Sequence, residues 1–73
     1  MLRVRIVPCD RLARNSKIGR EGSAVTIPDG GRVRDLVQAV GLFEEEVRKV
    51  FVNGRRARLD TSLNRDDLVE VQG

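Results

Sequence analysis

The sequence has no histidine, tryptophan or tyrosine and a single cysteine in 73 residues. With one cysteine, Cys9, an internal disulfide or multi-cysteine metal site cannot form. A zinc site would need that thiolate plus carboxylates, a poor match to the metal's usual nitrogen and sulfur ligands. Without histidine, nucleophile–histidine catalysis is excluded. The "DGG" stretch is too short for a phosphate loop, and no Gly-Lys-Ser/Thr follows it. An enzyme built from this chain alone is therefore not expected. Phe43 and Phe51 are the only aromatic residues, too few for a base-stacking platform, and both are expected in the core. No apolar run approaches the ~20 residues of a membrane span. The N-terminal "MLRVRIVPCD" carries charges where a secretory signal needs apolar residues. The expected setting is the cytoplasm, with no membrane contact.

What is present is a small globular composition, 40% hydrophobic and 34% charged, expected as a single domain over residues 1–73. Charge is uneven. Residues 1–34 hold eight Lys/Arg against three acids, whereas residues 35–73 hold six against eight. A basic N-terminal half suits an acidic partner surface or nucleic acid, although solvated surface arginines give the same count.

The apolar pattern reads as strand, strand, helix, strand, short strand, strand. In "LRVRIV" (residues 2–7), Leu2, Val4 and Ile6 alternate with Arg3 and Arg5, a half-buried strand that Pro8 should end. Residues 9–22 are polar and glycine-punctuated, a long connection with room for a helical turn near Arg11–Arg14. "SAVTIP" (residues 23–28) is a second strand with Val25 and Ile27 inward. Val33, Leu36, Val37 and Val40 recur at helical spacing, with Asp35 in the first turn and Gly41 as the stop. Gly31 and Arg32 stand where Ser, Thr or Asp would cap the helix better. "FEEEV" is a short acidic turn. Asn53-Gly54 marks a hairpin between "VRKVFV" and "RRARLD". "DTSLNRD" is a loop anchored by Leu63, and "LVEVQ" is the last strand, with Val69 and Val71 inward. One helix covering one face of a mixed sheet of four to five strands is the economical α+β arrangement. The other face would carry Arg3, Arg5, Arg56, Arg58 and Glu70, with Glu70 able to pair with Arg3 or Arg5 if the first and last strands are neighbours.

This order is that of the β-grasp, or ubiquitin-like, fold. The stretches "IPDGGRVRDLVQAVGL" and "VFVNGRRARLDTSLNRDDLVEV" resemble the small prokaryotic sulfur carriers, the molybdopterin synthase small subunit and the carrier for the thiamine thiazole ring. The family's acidic-Gly turn is matched at Pro28, Asp29 and Gly30, and its helix residues at Val33, Asp35 and Leu36. Its "VNG" turn is matched at Val52, Asn53 and Gly54, and the entry to its last strand at Leu63, Asp67 and Val69. The long first connection is closer to the molybdopterin type. The family's Gly-Asp is Asp66-Asp67 here, which suits a turn that avoids positive φ. The family ends in a flexible tail closing on Gly-Gly, whereas here Gln72 precedes Gly73 and fewer residues follow the strand.

The resemblance implies a sulfur carrier with Gly73 as the site of adenylation and thiocarboxylation, and Val71 and Gln72 as tail residues contacting the partner. It implies no bound cofactor. ATP would be used by a partner adenylating enzyme of the ubiquitin-activating type, and a synthase subunit would accept the sulfur. Two other readings stand beside it. One is a β-grasp interaction module without carrier chemistry, docking a partner protein through its helix or through the sheet face that carries Arg3, Arg5, Arg56 and Arg58. The other, ranked last for want of aromatics, is a nucleic-acid-binding module. Cys9 reads as a passive thiol, because only Arg11 and Arg14 lie near it in sequence to activate it.

Overall fold

A computed structural model describes residues 1–9 and 22–73. The connection expected over residues 9–22, with its helical turn near Arg11–Arg14, lies outside the described residues except for its ends. The elements are β1 (Leu2–Cys9), β2 (Ser23–Ile27), α1 (Val33–Ala39), a 3-10 turn (Glu44–Glu46), β3 (Lys49–Val52), β4 (Arg55–Ala57) and β5 (Leu68–Gln72). The strands form one sheet in the order β2-β1-β5-β3-β4. β5 is central, parallel to β1 and antiparallel to β3. This is the β-grasp architecture, a mixed five-stranded sheet with α1 on one face.

The alternation in β1 buries Val4 and Ile6, and β5 buries Val69 and Val71 beside them. Val33, Leu36 and Val37 of α1 close over these strands in one apolar cluster with Ile27, Val50 and Leu63. Each such side chain contributes about 1.5–3 kcal/mol when fully buried. Val40, placed on the same helical face by its spacing, is only partly buried, because α1 ends at Ala39. Gly41 turns the chain out of the helix at φ +81, a conformation that costs glycine little.

Pro8 does not end β1. The strand runs on to Cys9, with Pro8 opposite Val71 in the parallel ladder. The Arg5 N–H donates to the Asp67 carbonyl, so odd-numbered residues of β1 face β5 and Pro8 faces the β2 side. Pairing with β2 stops at Ile6, and the missing N–H of Pro8 therefore costs no ladder bond.

The helix start is capped from a distance. Arg32 offers no acceptor, but Asp35 Oδ2 accepts the Arg32 N–H at 2.8 Å. The N–H groups of Val33 and Arg34 donate to the carbonyls of Thr61 and Leu59 at 3.0 and 2.8 Å. The loop before β5 thus supplies acceptors that no local side chain provides.

Asn53 and Gly54 take φ values of +53 and +83, the type I′ hairpin expected of Asn-Gly. Asp66 also lies in the left-handed region, at φ +66, contrary to the expectation for a turn lacking the glycine. The turn keeps this shape because the Asp66 N–H donates to Arg3 at 2.8 Å and the Asp67 side chain is engaged beside it. Asp66→Gly should stabilise the chain by about 0.5 kcal/mol, the relief at φ outweighing the added freedom of the unfolded chain. A higher urea midpoint at unchanged slope would show it; a lower midpoint would contradict it.

Candidate functional site

The registers define what the open face of the sheet presents. One row runs Val7, Glu70, Phe51, Arg56 across four strands, and the next runs Cys9, Gln72, Lys49. Toward the other end, Arg5 sits between Ala24 and Leu68, and Arg3 beside Thr26. Arg3, Arg5, Arg56 and Glu70 therefore share this face as expected. Arg58 does not, because β4 ends at Ala57 and the Arg58 N–H donates to Thr61 Oγ1 in the following turn. Glu70 lies opposite Val7 and Phe51, so no arginine stands directly across from it.

The face is also more apolar than its arginines suggest. Val7, Phe51 and Leu68 are half-buried there, and the Arg56 guanidinium lies 6.0 Å from the centre of the Phe51 ring, the outer limit of a cation–π contact. Phe51 is thus a surface-face residue rather than a core one. Phe43 is 67% exposed, and the adjacent Leu42 takes the core position at 4%. The signal for this was in the sequence: "IV", "VFV" and "LV" place apolar residues on both sides of their strands, where strict alternation would leave one side polar.

The end of β5 is held on both sides. Gln72 pairs with Cys9 of β1 and Lys49 of β3, and its carbonyl accepts the Arg48 N–H at 2.8 Å. Val71 is fully buried between Pro8 and Val50. Its side chain belongs to the core, not to a tail that meets a partner. Gly73 follows the strand directly and is half-buried. Cys9 ends β1 beside Gln72, half-buried and outside any disulfide. Among the described residues no helix is long and apolar enough to cross a membrane.

No protein-family model matches the chain, and no curated protein matches it. Among solved structures, it is similar to a Pyrococcus furiosus protein described as a molybdopterin converting factor, subunit 1. The two superpose with a TM-score of 0.77 at 27% identity, over 99% of this chain and 97% of that one. This likeness over the whole chain supports the resemblance to the ubiquitin-like carriers that include the molybdopterin synthase small subunit. In this chain the motif residues that carry the resemblance perform structural work. Asp35 holds the start of α1, Asn53 and Gly54 make the hairpin, and the Asp67 carboxylate ties the loop before β5 to that hairpin.

Proposed function

We propose that the chain is a ubiquitin-like sulfur carrier in cofactor biosynthesis, of the molybdopterin or tungstopterin type or the thiamine type. On this reading an adenylating enzyme of the ubiquitin-activating type joins the Gly73 carboxylate to AMP from ATP, releasing pyrophosphate. A sulfur donor then displaces AMP, and the resulting thiocarboxylate gives its sulfur to a synthase subunit. The chain contributes the carboxylate and a docking face; catalysis belongs to its partners. The observation that carries this reading is the end-to-end similarity to the converting factor subunit.

The test is the intact mass after incubation with ATP, an adenylating enzyme from the same genome and a sulfur donor. Exchange of one oxygen for one sulfur is expected, and it should disappear in Gly73→Ala. An unchanged mass, with a known carrier converted in the same tube, would overturn the reading. The pairing of Gln72 within the sheet favours a second reading, a β-grasp interaction module in which the end of β5 is structural. A stable complex with a partner protein, without any mass change, would distinguish it.

A further inference from the structure

Asn53 is the one asparagine of the chain that is followed by glycine. The pair forms the two-residue turn between Val52 and Arg55, with both residues in the left-handed region. Such a dipeptide has a chemistry of its own. The Gly54 amide nitrogen, once it loses its proton to base, can attack Cγ of the Asn53 side chain, and no side chain on glycine hinders the approach. A bond forms from that nitrogen to Cγ, the Cγ–Nδ2 bond breaks, and the proton leaves on ammonia. Water then opens the five-membered imide. Opening at Cγ gives aspartate; opening at the main-chain carbonyl gives isoaspartate, in which the backbone runs through the side chain. The net change is asparagine and water to an acid and ammonia, with nothing oxidised or reduced.

The fold holds both ends of that amide. Asn53 Nδ2 donates to Asp67 Oδ1 at 2.8 Å, and Asn53 Oδ1 accepts the Leu68 N–H at 2.9 Å. The Asn53 N–H donates to the Leu68 carbonyl at 2.8 Å. Asp67 is itself fixed, its other oxygen accepting the Asn64 N–H at 2.8 Å. Closing the imide brings Cγ to the Gly54 nitrogen and turns the amide plane, which draws Nδ2 and Oδ1 away from these partners. The reaction therefore needs the hairpin tip to part from β5 first. Both products fit the closed state badly. Aspartate lacks the donor that Asp67 binds and faces it with a second carboxylate. Isoaspartate adds a main-chain atom to a two-residue turn and disturbs the pairing of Val52 with Arg55.

We propose that Asn53 is a site of spontaneous deamidation, gated by local opening of the hairpin tip, and that its conversion unfastens the start of β5. The full chain is kept in mildly alkaline buffer beside a synthetic peptide of residues 50–55, and trypsin then releases the same fragment from the chain for mass analysis. Exchange of NH2 for OH in that fragment should accumulate about tenfold or more slowly in the folded chain than in the peptide. Asp67→Ala should speed it about threefold or more by removing the anchor of Nδ2. In the wild-type chain, low urea should leave the rate unchanged, because opening a turn exposes little surface. Conversion as fast as in the peptide, no conversion after many peptide half-lives, or a rate that climbs with urea at the slope of global unfolding would each overturn the proposal. The converted chain, separated by its added negative charge, should exchange its Leu68 amide about tenfold faster than the unconverted one. Exchange at the unconverted rate would overturn the link to β5.

Discussion

Leu36→Ala should remove about 3–5 kcal/mol of stability and leave the chain largely unfolded under mild denaturing conditions. A helix of seven residues such as α1 is not stable on its own. Its persistence depends on Val33, Leu36 and Val37, each fully buried against the sheet. Leu36 is the largest of the three, and its loss leaves a cavity under the only helix among the described residues. A domain of this size has roughly 4–11 kcal/mol in total at ~0.05–0.15 kcal/mol per residue, so the single change removes a large share. Leu36→Met should cost under about 1.5 kcal/mol because volume is conserved. Gln38→Ala, on the exposed side of the same helix, should stay within about 0.5 kcal/mol. Urea unfolding followed by far-UV circular dichroism would measure all three. A loss below about 1 kcal/mol for Leu36→Ala would mean that the loop over residues 59–61, not the buried face, holds the helix in place.

Legibility in the sequence followed how local the cause was. The spacing of Val33, Leu36 and Val37, the alternation in "LRVRIV" and the Asn-Gly turn each encode their element within a few residues, and all three appear in the fold. Pro8 misleads as a strand end because its tolerance depends on which neighbour the missing N–H would face, a property of the register. The weak cap at Arg32 is repaired by carbonyls nearly thirty residues away in sequence, at Leu59 and Thr61. Phe43 and Leu42 are adjacent, and only the backbone path after Gly41 decides which one faces inward. At the candidate site, Arg3, Arg5 and Arg56 were legible as one face from alternation alone. Arg58 was not, since β4 stops one residue earlier. Val71 and Gln72 are recognisable as strand residues by pattern. The resemblance to carriers with a free tail made them look available to a partner, whereas two flanking strands hold them.

Asn53→Ala should cost about 3 kcal/mol, far more than an ordinary exposed turn substitution. Three effects add. Alanine is strained at φ +53, by about 1 kcal/mol. The Asn53 Nδ2 group donates to Asp67 Oδ1 at 2.8 Å, and Asp67 is only 8% exposed, so its oxygen would lose a partner at about 1–3 kcal/mol. Asn53 Oδ1 accepts the Leu68 N–H at 2.9 Å, while the Asn53 N–H donates to the Leu68 carbonyl at 2.8 Å. The hairpin tip is thereby fastened to the first residue of β5, the strand that leads to Gly73. Asn53→Gly relieves the φ strain but keeps the lost side-chain bonds, so its cost should fall between wild type and alanine. Asn53→Asp keeps an acceptor for Leu68 but sets a second carboxylate against Asp67, and should be no better than alanine. A double-mutant cycle with Asp67→Ala should return a coupling of about 1 kcal/mol or more. Additive losses would instead mean that Asn53 acts through its backbone conformation alone, in which case the glycine variant should recover nearly all the stability.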